Sequence, residues 1–375
     1  MTIISAKPLK LLFISTSVGP LGSGLGGGVE LSLRNIAQAV LQRGHIVRTV
    51  SALGSKDESL PDIVQISGDW QITAQSQERN VPIIMSYDSL LANMWDYSRQ
   101  VQTNYDLIVN FAYDWLPFYL TPFFQVPIAH IVSMSSLSDA MDRIITQVAT
   151  QFPNTVGFYS HSQAATFPFM RDKTGITPYY LKSGLDLSLY QFNPRPQSCL
   201  AWLGRISPEK GLEDAVAAAQ ITNIPLKIMG KMQDYNYWQQ ICREYPNAPI
   251  EYLGFLSTDQ LQQAVGQCRA LLMTPTWEEA FGNVVIEAFA CGVPVIAYRR
   301  GGPAELIEDG KTGFLVEPDS VTGLVQAIAN VDKIDRATCR KHAETEYSLK
   351  VVGDSFEKWF YSVVQGTLNR EKSKI

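Results

Sequence analysis

A chain of 375 residues in which 46% of side chains are hydrophobic and 18% charged is long enough for two packed domains and too apolar for a disordered or coiled-coil protein. Its formal charge of -5 excludes nucleic acid and anionic membrane as default partners and leaves a small molecule as the expected one. The cysteines Cys199, Cys242, Cys268, Cys291 and Cys339 are scattered, without a CxxC pair or a histidine at metal spacing, so they read as reduced core thiols of a cytoplasmic protein.

The chain opens with an apolar strand, residues 9 to 15, too short to be a signal-peptide core. A loop with six glycines between positions 19 and 28 follows, and then a helix in which Leu33, Ile36, Ala37, Val40 and Leu41 form one apolar face until Gly44 stops it. The next strand, "HIVRTVSAL", completes a βαβ start, and a parallel sheet is expected from it. Residues 106–112, 127–133 and 155–160 are further strands, and the proline-rich polar stretch 186–198 reads as a linker. The pattern then restarts with strands in "CLAWLGR", "LKIMG", "PIEYLGF", "ALLMTPT" and "VPVIAYRR" and helices in "GLEDAVAAAQ", "STDQLQQAVGQC" and "NVVIEAFACG". The expected fold is therefore α/β with two Rossmann-like domains, residues 1–185 and 199–350, and a closing helix in 351–375. No run of about 20 apolar residues offers a membrane span.

Gly22, Gly24 and Gly27 satisfy GxGxxG, but the second strand ends without the acidic residue that a dinucleotide ribose would need. A phosphate-binding P-loop also fails, because "GKT" at 310–312 has Glu305 where its upstream glycine should be. What remains is either backbone amides and a helix start that suit a phosphate, or a surface turn. At the end of the second half's first strand, Arg205 and Lys210 can neutralise a leaving diphosphate, or be solvated surface cations. "TWEEAFGNVVIEAFACG" places Glu279 just before a helix expected to start near Asn283, and Glu287 one turn inside it. Carboxylates that flank an anion-binding helix start suit a sugar nucleotide; the alternative is a capping Glu279 and a core-paired Glu287.

Glu279 and Glu287, with seven residues between them inside "EEAFGNVVIEAFACGVPVIAYRRGGPAELIEDGKTGFLVEPDS", together with "GGVE", "RGH" and "GRISPEKG", resemble the retaining family 4 glycosyltransferases of the GT-B fold over essentially the whole chain. The resemblance implies a UDP-sugar co-substrate, with no metal or other cofactor, and transfer of a hexose, expected to be glucose, with retention. It implies that Gly27 and Gly28 face the diphosphate and that Arg205 and Lys210 bind it. Glu279 would hold sugar hydroxyls beside the backbone of Phe281, Gly282 and Asn283, Glu287 the ribose, and the turn with Phe255 and Leu256 the uracil. Glu279, Arg205 and Lys210 form the expected catalytic set.

In the first half, "GPLGSGLGGGVELSL", "NFAYDWLPFYLTPFF" and "SQAATFPF" are similar to the pteridine-modifying members of that family, which implies tetrahydrobiopterin as acceptor. Tyr113, Asp114, Trp115 and His130 are the expected acceptor residues. Aromatic faces suit a flat heterocycle and a carboxylate suits its amino-pyrimidine edge; packing of these aromatics in the core is the alternative. Many members carry a histidine near the place of Ser133, whereas this chain has His130 three residues earlier, either reassigned to that role or buried in its strand. "IMGKM" lacks the second glycine usual after its strand. The rival functions are a family member with a sugar or lipid acceptor, a UDP-sugar epimerase and a non-catalytic UDP-sugar sensor.

Overall fold

The continuous apolar runs become parallel strands buried on both faces, as sheets covered by helices require. The computed structural model describes residues 7–72, 77–171 and 175–372. It divides into two units, Met1–Ser183 with Leu349–Ile375, and Gly184–Ser348. In the first unit β1 (Lys10–Ile14), β2 (Ile46–Ala52), β3 (Ile63–Ile66), β4 (Leu107–Asn110), β5 (Ile128–Val132), β6 (Val156–Phe158) and β7 (Tyr179–Tyr180) form one parallel sheet in the order 3-2-1-4-5-6-7. Its helices are α1 (Gly28–Leu41), α2 (Leu90–Val101), α3 (Trp115–Leu120), α4 (Asp139–Gln151), α5 (His161–Ala165) and α6 (Pro168–Arg171). The strand order reverses between β1 and β4, so the glycine loop and the start of α3 both lie at the switch point of this sheet.

The second unit repeats the plan. Strands β8 (Leu200–Leu203), β9 (Leu226–Met229), β10 (Ile250–Gly254), β11 (Ala270–Met273), β12 (Val295–Tyr298) and β13 (Gly313–Val316) run in the order 10-9-8-11-12-13. Around them lie α7 (Leu212–Thr222), α8 (Tyr235–Glu244), α9 (Thr258–Gly266), α10 (Asn283–Ala290), α11 (Pro303–Leu306), α12 (Val321–Asn330) and α13 (Arg336–Glu346). The switch point here falls between β8 and β11, which brings the loop carrying Arg205 and Lys210 beside the loop carrying Glu279.

The last helix, α14 (Leu349–Lys372), counts with the first unit. Val352, Phe356, Trp359, Phe360 and Val363 recur at helical spacing and are buried with Leu11, Phe13, Ile36 and Leu107. Polar contacts fix its register. Arg43 donates to the Lys350 carbonyl at 2.6 Å, the indole N–H of Trp359 donates to the Asn154 carbonyl at 2.7 Å, and His45 bridges the Leu9 amide and Glu357 at 3.0 Å each.

The stretch expected as a linker is instead part of the second unit. Tyr190 is buried, the Asn193 side-chain NH2 donates to the Gly266 carbonyl at 3.0 Å, and Arg336 donates to the Asn193 backbone carbonyl at 2.7 Å. Its polar residues are used on the unit's own backbone groups, which composition alone cannot distinguish from solvation.

Trp359→Ala should cost the first unit about 3–5 kcal/mol. Denaturant unfolding followed by hydrogen exchange should show the first unit's amides losing protection while those of the second unit keep theirs.

Candidate active site

The loops after β8 and β11 are laced together by groups that leave little freedom. A short 3-10 turn, Pro208–Lys210, ends at Gly211, whose φ of +63° and an added Cβ only 1.9 Å from the Thr274 carbonyl oxygen admit glycine alone. The Thr274 hydroxyl donates to the Gly211 carbonyl at 2.6 Å, and the Thr276 amide donates to the Glu209 carbonyl at 3.1 Å. From the other side, the Gly302 amide donates to the Glu279 carbonyl at 2.7 Å, and a Cβ at Gly302 would meet the Phe281 carbonyl oxygen at 2.5 Å.

This lacing places the Lys210 ammonium 2.6 Å from Oε2 of Glu279, to which the indole N–H of Trp277 also donates at 2.8 Å. Lys210 lies 4.9 Å from the centre of the Trp277 ring, within range of a cation–π attraction. Burial works to raise the Glu279 pKa, but the Lys210 charge and hydrogen bond, the Trp277 bond and the Arg205 charge outweigh it and hold the carboxyl below its usual range. Glu279 is therefore ionised at neutral pH.

Arg205 donates to Gln233 at 2.8 Å and to Glu209 at 3.2 Å, so its guanidinium stands at the same strand end as Lys210 without pairing to Glu279. Gly282, at φ +95°, caps α10, which begins at Asn283 as the sequence indicates. Phe281 is buried edge-on to Tyr347 at 6.2 Å. Glu287 is buried one turn into the helix and accepts the Tyr190 hydroxyl at 3.0 Å, a partner supplied by the former linker. Phe255, 64% exposed, and half-buried Leu256 follow the edge strand β10, three strands from β11.

In the first unit Gly27, at φ +57°, caps α1, and Gly28 is its first residue. Asp114 precedes α3 and accepts the Ser17 hydroxyl at 3.2 Å; burial pushes its carboxyl up to about 7 against the pull of that bond. Trp115 stacks on Tyr119 at 4.4 Å, and Tyr119 is 44% exposed.

Two of the expected acceptor residues, Tyr113 and His130, are buried. Tyr113 is buried in the apolar cluster with Phe118 and Met141, and its hydroxyl donates to the Ser135 carbonyl at 3.3 Å. His130 is fully buried in β5, and both ring nitrogens are occupied. Asn110 accepts the Ala112 amide through its oxygen at 3.1 Å, so its NH2 faces Nδ1 of His130 at 3.2 Å. Nε2 then carries the proton toward Thr121 at 2.9 Å. Burial pushes the imidazole down to about 3, and the ring stacks on Phe118 at 4.2 Å. It is a neutral core histidine without a face for a ligand. Trp277, Tyr190 and Gln233 escaped the sequence reading, since each acts from a loop or helix edge without periodicity. The described residues contain no group of three or more His, Cys, Asp and Glu side chains placed for a metal ion.

Residues 193–346, almost all of the second unit, match the family model for glycosyl transferases group 1. The solved structures add the whole-chain pattern. Anabaena HepE in complex with UDP and glucose superposes with a TM-score of 0.75 at 19% identity, covering 94% of this chain and 100% of that one. A glycosyltransferase involved in avilamycin A biosynthesis gives 0.70 at 16%, covering 96% and 99%. The fold is GT-B. This GT-B chain is also 31% identical over 127 residues to an uncharacterized glycosyltransferase of Methanocaldococcus jannaschii, covering 34% of this chain and 36% of that one. It is 28% identical over 180 residues to the sulfoquinovosyl transferase of Arabidopsis thaliana, covering 47% and 34%. The chain thus spans about a third of the length of these curated relatives. No helix among the described residues is long and apolar enough to cross a membrane.

Lys210→Met removes the ammonium and leaves burial to dominate, so the Glu279 carboxyl should rise above its ordinary value of about 4.3. A partly exposed pair should cost about 1–3 kcal/mol at pH 7. In denaturant unfolding the deficit should shrink as pH falls through the raised value and Glu279 becomes neutral.

Proposed function

We propose that the protein is a retaining glycosyltransferase that moves a hexose, glucose in the first instance, from a UDP-sugar to a hydroxyl of a small acceptor of the pterin class. The observation that carries this reading is the ionised Glu279, held by Lys210 and Trp277 just before the helix that starts at Asn283. A carboxylate there takes two neighbouring sugar hydroxyls, while the ammonium beside it meets the diphosphate charge. Arg205 adds a second fixed cation at the same strand end. The departing diphosphate develops negative charge, and preorganised cations and helix-start amides stabilise that charge more than the ground state. Retention follows if the acceptor oxygen attacks from the face the diphosphate leaves, with a phosphate oxygen receiving the acceptor proton. The HepE structure, described as a complex with UDP and glucose, supports the donor assignment.

On the acceptor side the reading rests on Asp114, Trp115 and Tyr119. A 2-amino-4-oxopyrimidine edge presents two parallel N–H donors to a carboxylate, and the stacked rings supply a flat apolar face.

Purified protein given UDP-glucose should release UDP faster with tetrahydrobiopterin, and the pterin should gain one hexose in mass. UDP release without any pterin product would move the acceptor to a sugar or lipid. Interconversion of the donor with no UDP release would make the protein an epimerase, and binding without chemistry a sensor. Glu279→Gln should lower turnover about 100-fold or more while UDP affinity stays within a few-fold. Because the Asp114 carboxyl ionises near pH 7, the KM for the pterin should fall between pH 6 and pH 8. Asp114→Asn should bind the pterin weakly throughout and lose that pH dependence.

A further inference from the structure

The glycine loop of the first unit already holds an anion, and the anion is its own. Glu30, the third residue of α1, turns its carboxylate back onto the loop. Oε2 accepts the Gly22 amide at 3.0 Å and the Gly24 amide at 3.4 Å, and Oε1 accepts the Gly26 amide at 2.6 Å. Left-handed φ values at Gly22 (+85°) and Gly24 (+73°) make alternate amides converge on one side, the geometry of a backbone anion nest. Position 26 must stay bare for the carboxylate to sit there, since a Cβ would meet Cγ and Oε1 of Glu30 at 2.8 and 2.9 Å. The start of the loop is anchored elsewhere, by the Ser55 hydroxyl on the Leu21 amide at 2.9 Å and the Lys56 amide on the Leu21 carbonyl at 3.1 Å. Gly27 differs from Gly22 and Gly26, because an added Cβ would meet nothing within 4 Å, while its amide donates to the Gly24 carbonyl at 3.4 Å.

We propose that Glu30 is the positioning residue of the glycine loop: its carboxylate is the anion bound by the Gly22, Gly24 and Gly26 amides, and by filling that seat it folds the loop and directs the donor diphosphate to Gly27 and Gly28. The second half of this statement rests on the UDP-sugar reading. The first half does not. Without Glu30, the three N–H groups lose their shared acceptor within the protein and turn to water, and the loop loses the charge-assisted bonds that fix its shape. Glu30 does not touch the reacting atoms in this account; it acts through the loop.

The test is Glu30→Ala with and without added formate, a carboxylate small enough to enter the vacated seat, with Glu30→Gln as the neutral isostere. Turnover of UDP-glucose should fall about tenfold or more in Glu30→Ala, and less in Glu30→Gln, which keeps one acceptor oxygen. Formate should restore a large part of the loss in Glu30→Ala and leave the wild type unchanged. Hydrogen exchange of the peptide spanning residues 22 to 28 provides a readout independent of catalysis, since formate should slow exchange there only in Glu30→Ala. Unchanged exchange in the variant, or a loss that formate does not reverse in either readout, would overturn the anion-seat assignment. If formate restores protection but the wild type neither binds UDP nor turns over UDP-glucose, the seat stands and the UDP-sugar reading fails.

Discussion

The second unit is organised around one electrostatic constraint, a carboxylate and an ammonium held 2.6 Å apart at the ends of two strands that are neighbours in space and far apart in sequence. Neither charge is cheap to keep half-buried alone. Together, with an indole N–H and a nearby guanidinium, they are stable as ions, and that allows a chain of modest charge to place a fixed anion and a fixed cation where a polar ligand could meet both. The backbone around them is correspondingly exact in its demands. Gly211, Gly230 and Gly302 each stand where a Cβ would fall within 2.5 Å of a carbonyl oxygen, so the loops approach one another more closely than side chains would permit.

The first unit uses the same strand order for a different purpose. Its switch point gathers backbone amides and aromatic faces rather than an opposed pair of charges, and the carboxyl at the start of α3, Asp114, is raised by burial to about 7, so that it changes charge around physiological pH. Chain topology repeats while the chemistry offered at the strand ends does not.

Much of this was legible in the sequence. Strands such as β1, β5 and β11 were evident because burial on both faces demands unbroken apolar runs, and the start of α10 was marked by Gly282 and Asn283. The edge strands β3 and β7 were not, being short and only half-buried, and α8 hides its apolar face among tyrosines and glutamines. Glu279 and Lys210 stood out through residue type and position, but their pairing depends on β8 and β11 being adjacent, which no local pattern encodes. His130 and Tyr113 show the opposite limit. An aromatic or imidazole ring in an apolar segment looks alike from the sequence whether it faces a ligand or the core, and here the Asn110, Thr121 and Phe118 contacts decide for the core.

Because α14 completes the first unit after the second unit has been spelled out, the polypeptide visits the first unit twice. The ends of the inserted stretch lie side by side, with the Leu185 amide bonded to the Tyr347 carbonyl at 2.9 Å and a bridge between Leu185 and Ser348. On the ribosome this imposes an order unlike the usual one, in which amino-terminal domains finish first. The second unit has its whole sequence available and can close its core while the first still lacks Phe356, Trp359 and Phe360. A nascent chain halted before residue 349 would carry a finished second sheet and an unfilled apolar face on the first, the surface a chaperone would be expected to hold until synthesis ends.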